Sequence, residues 1–181
     1  MQYQDVDIII IKGAPASGKS TTAKELAKFF PKGVRLEVDN LRSMVISINW
    51  TDQEEHINIL KMSTKLIHDF YDLTYKPIIV VDTFSGDKIN SYYDKLKSLN
   101  ENWRISIYGL YLTEFELQKR LDIRSSDKFK DFEICEKLNT DTVKFKHKGE
   151  VLIDTTNLTA KESAKMIYEN IQQGTPVPKN V

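Results

Sequence analysis

Eight consecutive residues near the start of the chain have the types and spacing needed to bind phosphate groups. They fit the pattern G-x-x-x-x-G-K-[ST] and are Gly13, Ala14, Pro15, Ala16, Ser17, Gly18, Lys19 and Ser20. In such a loop, backbone N–H groups and the positive N-terminus of the next helix hold the phosphates of a nucleotide. We expect Lys19 to reach the β- and γ-phosphates of ATP, Ser20 to ligate Mg²⁺, and the contacts to extend to Thr21.

The sequence on either side predicts the strand and the helix that a phosphate-binding loop (P-loop) requires. Residues 6–11 are apolar apart from Asp7 and mostly β-branched, which is typical of a buried strand. Residues 21–30 contain several Ala, Lys, Glu and Leu residues, which favour a helix. Strand, loop and helix in this order are the context in which the pattern indicates nucleotide binding.

A carboxylate and an arginine follow the second predicted strand, residues 34–38. Asp39 comes directly after this strand, and Arg42 lies three residues later in the first turn of a predicted helix. At the carboxyl edge of a parallel sheet, Asp39 could accept a proton from an acceptor hydroxyl while Arg42 orients that acceptor. The alternative is that Asp39 only caps the helix and Arg42 is a solvated helix residue.

Asp82 ends the third predicted strand, residues 77–82. In P-loop enzymes a carboxylate at this position either holds Mg²⁺ through water or binds the acceptor. A purely structural capping role is the alternative.

Two arginines, Arg120 and Arg124, are four residues apart in a segment whose helical start is predicted at Thr113. Two guanidinium groups on one edge would suit the charge of a transferring phosphoryl group. The alternative is a solvated helix face in which Glu116 and Asp122 are their partners.

The turn at residues 154–157 follows the last predicted strand, so Thr156 could line an adenine pocket through its backbone. An ordinary polar turn explains it equally well.

The three histidines, His56, His68 and His147, have no spacing typical of a metal site or a catalytic triad, so we interpret them as surface or packing residues. The single Cys135 is expected to be a buried or idle thiol.

The order of the predicted elements indicates a three-layer α/β fold. Strand-like runs alternate with helical segments, which favours a five-stranded parallel sheet with helices on both faces. The runs are residues 6–11, 34–38, 77–82, 105–112 and 151–154. Capping boxes predict helix starts at Thr51, Thr113 and Thr159.

Length and composition are those of one ordinary domain. The 181 residues include 26 basic and 26 acidic ones, so no bulk positive charge indicates a nucleic-acid binder. We expect a single domain over residues 1–175 with a mobile lid around 120–148, and a C-terminal tail at 176–181. No apolar segment has the length of a membrane span and the start of the chain is acidic, so we expect a cytoplasmic protein with no membrane partner.

Taken together, these residues resemble the P-loop kinases that phosphorylate hydroxyl groups, and most of all the kinase domain of polynucleotide 5′-kinases. The resemblance covers roughly residues 6–124 and rests on the P-loop, the Asp-x-x-Arg motif at Asp39, and the paired arginines. It implies that Asp39 is the general base for a 5′-hydroxyl, that Arg42 helps to place the acceptor phosphate, and that Asp82 matches an Asp of the family. Chloramphenicol phosphotransferase and zeta-toxin-type kinases are similar in the P-loop and the first Asp.

The resemblance implies an ATP-dependent phosphotransferase whose acceptor is a polynucleotide 5′-hydroxyl or a hydroxyl of a small metabolite or antibiotic. A nucleoside-monophosphate kinase is the nearest alternative, although a phosphate acceptor needs no general base. A nucleotide-dependent regulatory NTPase is the other alternative. The chain has no Asn/Thr-Lys-x-Asp motif for guanine late in the sequence.

Overall fold

The computed structural model describes residues 6–174, which are built around one parallel sheet. Its strands are β1 (Ile8–Gly13), β2 (Val34–Glu37), β3 (Ile78–Asp82), β4 (Ile105–Tyr111) and β5 (Val151–Asp154). Their spatial order is β2-β3-β1-β4-β5, and every neighbouring pair is parallel. The predicted five-stranded parallel sheet is confirmed, whereas the predicted tail at 176–181 lies outside the described residues.

Helices connect the strands in the described part of the chain. They are α1 (Lys19–Ala27), α2 (Val38–Arg42), α3 (Gln53–Asp72), α4 (Lys88–Leu99), α5 (Glu114–Asp122), α6 (Phe132–Lys144) and α7 (Ala160–Gln173). Parallel strands need a crossover connection. After each strand the chain therefore runs back through such a segment before the next strand begins.

The alternation of side chains along the strands produces the two cores that make the fold three-layered. Ile8 and Ile10 of β1 pack on one face with residues of α3 and α4. Ile9 and Ile11 pack on the other face with residues of α1 and α7. Since β1 is buried on both faces, its continuous apolar run is what a central parallel strand requires.

The helix starts agree with two of the three predicted caps. Thr159 forms a complete capping box with Glu162, and the Thr113 hydroxyl accepts from the backbone N–H of Glu116. The predicted cap at Thr51 is wrong. Asp52 caps α3 instead, because its carboxylate accepts from the first free N–H groups of that helix.

The highly charged segment 128–148 contains α6, which is fastened to the sheet. The side chain of Asn139 donates to the carbonyl of Leu112 at 2.7 Å and accepts from its N–H at 3.2 Å. Cys135 is a residue of the same helix and is buried, which confirms that part of the expectation for this thiol. Among the described helices, none is both long and apolar enough to cross a bilayer.

Candidate active site

The P-loop folds as a tight turn between β1 and α1. Gly18 is the N-cap of α1 and has φ 91°, a left-handed conformation that favours glycine. Gly13 has no room for a side chain, because an added Cβ would lie 2.7 Å from the carbonyl oxygen of Leu110. No side chain caps α1, so its first N–H groups remain available to a phosphate.

Lys19 lies among several charged groups at the carboxyl end of the sheet. Its Nζ donates to the carbonyl of Ala14 in the loop at 3.3 Å. Burial lowers the pKa of Lys19, while the negative charges of Asp39 and Asp82 act in the opposite direction. These electrostatic interactions show that the fold brings the predicted lysine and both predicted carboxylates to one place.

The hydroxyl-bearing residues of the loop differ in accessibility. Ser20 is exposed at the start of α1, and no described group bonds its hydroxyl, so it is free to ligate a cation. Thr21 is also exposed, but its hydroxyl donates to the carbonyl of Gly18 at 2.9 Å. Ser17 is fully buried, so its side chain does not face a ligand in the loop.

Asp39 is the second residue of α2 and is open to solvent. Glu37 occupies the N-cap position, so the alternative that Asp39 is only a cap is wrong. Partial desolvation and then the negative charge of Asp82 raise the pKa of the Asp39 carboxyl, while Lys19 opposes this change. An exposed carboxylate with a raised pKa is suited to accept a proton.

Arg42 differs from its predicted arrangement. It is the last residue of α2 and only 5% exposed, and its guanidinium carbon lies 4.7 Å from the ring centroid of Trp50. Its Nη2 donates to the carbonyls of Asn49 and Trp50 at 3.4 and 3.3 Å. The alternative that Arg42 is a solvated helix residue is therefore wrong. These contacts hold the loop after α2, and the charge of Arg42 also acts on Asp39, so its role in orienting an acceptor stays a prediction.

Asp82 is buried at the end of β3, and both of its carboxylate oxygens have partners. Oδ1 lies 3.1 Å from Nε2 of His56, and Oδ2 accepts from the N–H of Phe84 at 2.8 Å. Burial alone would raise the pKa of Asp82, but the hydrogen bonds from His56 and from the N–H of Phe84 help to lower it overall. The interpretation of His56 as a surface or packing residue agrees with its burial but missed its bond to Asp82. The sequence contained no spacing signal for this pair.

Arg120 and Arg124 line a cavity of about 300 Å³ together with the P-loop residues Ala16, Gly18, Lys19, Ser20 and Thr21. Arg120 is fixed by Glu116 at 2.9 Å and by the carbonyl of Thr155 at 2.6 Å. Arg124 lies two residues past the end of α5, not on it, and donates to the carbonyl of Phe129 at 2.8 Å. Both guanidinium groups nevertheless reach the loop.

The turn after β5 lies against the P-loop. The Thr155 hydroxyl donates to the carbonyl of Ser17 at 3.2 Å, and the Thr156 hydroxyl accepts from the N–H of Thr113 at 2.9 Å. The Thr156 N–H is bonded to Asp154 at 2.9 Å. The turn therefore joins α5 to the loop, and the Thr156 N–H is not free to bind a base.

Comparisons with known proteins place this site in a familiar fold. No protein-family model and no curated protein sequence matches the chain. A sugar kinase from Janibacter sp. HTCC2649 superposes with a TM-score of 0.65 at 15% identity, over 96% of this chain and 97% of that one. Shikimate kinase from Acinetobacter baumannii superposes with a TM-score of 0.60 at 15% identity, over 96% and 97%.

A chain of the Pnkp1/Rnl/Hen1 RNA repair complex is similar at 27% identity, with a TM-score of 0.64. The match covers 79% of this chain and 46% of that one. The expected likeness to the P-loop kinases is thus confirmed at the level of the fold. The first two neighbours are named for different substrates, a sugar and shikimate, so the fold alone does not select the acceptor.

Proposed function

We propose that the chain is an ATP-dependent phosphotransferase that moves the γ-phosphate of ATP to a hydroxyl acceptor. The observation that carries the proposal is the meeting of Lys19 and the exposed carboxylate Asp39 at the edge where the P-loop ends. A cation for the donor and a base for the acceptor then lie at the same edge of the sheet, as an in-line transfer requires. The kinase-fold neighbours support this class of reaction.

The donor phosphates would lie in the cavity between the P-loop and the two arginines. The free N–H groups at the start of α1 would bind the phosphate oxygens, and Lys19 would reach the γ-phosphate. Arg120 and Arg124 would stabilise the charge that develops on the transferring group. Since Arg120 is already fixed by Glu116 and Thr155, it needs little reorganisation to do so.

Mg²⁺ fits the residues present. The described residues contain no cluster of three acidic, His or Cys ligands, which agrees with the preference of Mg²⁺ for one or two protein ligands, water and substrate phosphates. The exposed Ser20 hydroxyl would be the direct protein ligand, and Asp82 would act through water, because its two oxygens are already bonded. When bound, the ion neutralises phosphate charge.

The oxygen of the acceptor hydroxyl would attack the γ-phosphorus while Asp39 accepts the proton of that hydroxyl. The bond between the γ-phosphorus and the β–γ bridging oxygen breaks in the same step. ADP leaves, and the phosphorylated acceptor carries the transferred group. A raised pKa makes Asp39 a stronger base than an ordinary aspartate. Arg42 would hold the loop around Trp50 and, from there, help to orient the acceptor.

The acceptor would enter beside the loop that follows α2. This loop exposes four large apolar side chains, Met44, Val45, Ile46 and Trp50, which is unusual unless they contact a ligand. We propose a polynucleotide 5′ end or a small metabolite or antibiotic as acceptor.

We also propose one domain over residues 1–175 and a cytoplasmic location. A lid would be confined to the exposed part of 120–148 between α5 and α6, since α6 itself is fastened to β4.

The test offers γ-labelled ATP and Mg²⁺ to the protein with 5′-hydroxyl oligonucleotides, nucleosides, nucleoside monophosphates, sugars and phenicol or aminoglycoside antibiotics in turn. We expect label transfer to a hydroxyl of one class, reduced about 10²–10⁴-fold in Asp39→Asn while ATP binding persists. Asp94→Asn, at an exposed position on α4, is the control. Transfer to a monophosphate, or acceptor-independent hydrolysis that Asp39→Asn does not change, would overturn the proposal.

A further inference from the structure

A chain of hydrogen bonds connects the carboxylate at the end of β3 to the starts of two helices. Nε2 of His56, in the first turn of α3, lies 3.1 Å from Oδ1 of Asp82. Nδ1 of the same ring lies 3.1 Å from Nζ of Lys88, the first residue of α4. The Lys88 ammonium also donates to Gln53 at 2.6 Å and to Ser85 at 3.1 Å.

The direction of these bonds follows from the chemistry of the groups. An ammonium nitrogen can only donate, so Nδ1 of His56 must accept from Lys88. The proton of the neutral imidazole is then on Nε2, which donates it to Asp82. The contacts with Lys88 and with the acceptor-only carboxylate of Asp82 thus require the same tautomer of His56.

Both oxygens of Asp82 are restrained, one by His56 and the other by the N–H of Phe84. His56 and Asp82 are 6% and 3% exposed, so water does not compete for these bonds. A buried carboxylate without such donors would be strongly disfavoured. Its charge acts on both Lys19 and Asp39, so its orientation bears directly on the proposed chemistry.

We propose that His56 is a positioning residue that holds Asp82 in one orientation beside Lys19 and Asp39, and that Lys88 holds the ring of His56 in place through Nδ1. The kinetic part of the inference rests on the proposed function. His56 touches neither donor nor acceptor in this scheme, and it acts through Asp82. The two helix starts that supply His56 and Lys88 thus determine how the β3 carboxylate faces the site.

The first test compares substitutions of His56. His56→Leu removes the donor, and we expect kcat to fall about 10–100-fold with the KM for ATP unchanged, as for other outer residues that orient a site. His56→Gln places an amide N–H near the position of Nε2, so it should restore most of the rate, whereas the shorter His56→Asn should not. His68→Gln, on the same helix but partly exposed and paired with Asp72, is the matched control.

The second test is a double-mutant cycle with Asp82→Asn. If His56 acts through Asp82, His56→Leu should lower kcat little further once Asp82→Asn is present. Multiplicative effects of the two substitutions would overturn the inference. Equal rates for the Leu, Gln and Asn variants of His56 would overturn it as well.

The third test does not depend on activity and so separates this inference from the proposed function. Long-range ¹H–¹⁵N NMR spectra of the wild-type protein should show His56 as the Nε2–H tautomer, and Lys88→Met should shift the Nδ1 resonance, because that nitrogen loses its donor. Lys95→Met, an exposed lysine on α4, should leave the spectrum unchanged. A Nδ1–H tautomer in the wild type would overturn the inference even if phosphotransfer is found, and it remains decisive if His56→Leu fails to fold.

Discussion

Nζ of Lys12 lies 3.2 Å from Oε1 of Glu150, and both side chains are almost completely buried. Lys12 immediately precedes the first glycine of the P-loop, and Glu150 immediately precedes β5. Lys12 also donates to the carbonyl of Phe145 at 3.0 Å. This ion pair joins the strand that carries the P-loop to the connection between α6 and β5. Gly109 permits it, because a Cβ there would collide with the Glu150 carboxylate.

Removing one partner of this pair should destabilise the protein. Lys12→Met leaves the Glu150 carboxylate buried and uncompensated, so we expect a loss of about 3–5 kcal/mol in the free energy of unfolding, measured with urea. The double variant Lys12→Met with Glu150→Leu should recover part of this loss, because it buries no charge. Lys32→Met, at an exposed position, is the control. A double variant no more stable than Lys12→Met would contradict this account.

The pH dependence of the reaction should report Asp39. Desolvation and Asp82 raise the pKa of Asp39 above 3.8, and the general base works only when ionised, so kcat/KM should fall with acid at a pH above that value. In Asp82→Asn one cause of the raised pKa is gone, and the acid limb should move to lower pH. The position of the limb is measured, not the height of the plateau. If the acid limb does not move in Asp82→Asn, the claim that the charge of Asp82 raises the pKa of Asp39 is contradicted.

Lys19 should matter to the nucleotide and not to the fold. Lys19→Ala removes the cation expected at the γ-phosphate, so turnover should fall at least about 100-fold. Since burial already disfavours the charged form of Lys19, the substitution should not lower the unfolding temperature. Lys24→Ala, exposed on the same helix, should behave as the wild type in both measurements. Full activity in Lys19→Ala would exclude the assignment of the loop.

The two arginines should differ in their effect on stability. Arg120 bonds Glu116 and the carbonyl of Thr155, so Arg120→Ala should lower both the unfolding temperature and kcat. Arg124→Ala loses only the bond to Phe129 and should lower kcat, by about 10²-fold, with little change in stability. Calorimetry and steady-state kinetics check both variants. Unchanged kcat in both variants would show that neither arginine takes part in the reaction. Glu116→Gln should reproduce part of the Arg120→Ala effect.

Much of the fold and part of the site could be predicted from the sequence because their signals are local. The β1 run, the glycines of the loop and the composition of α1 are adjacent in the chain, so a pattern over a few residues identifies them. Asp39 and Asp82 were expected at one edge of the sheet because each lies at the carboxyl end of a strand, and a strand end is also a local signal. The Thr51 cap failed because Asp52, one residue later, competes for the same N–H groups.

The sequence by itself therefore determined the P-loop, the parallel sheet and the residues that can meet at its edge, since hydrophobic periodicity and chain direction suffice for these. Only the tertiary structure decided what each side chain contacts. His56 reaches Asp82 across 26 residues, Arg42 turns inward to Trp50, and Lys12 meets Glu150 from the far end of the chain. Such contacts depend on how separate helices pack on the sheet, and no spacing in the sequence encodes that packing.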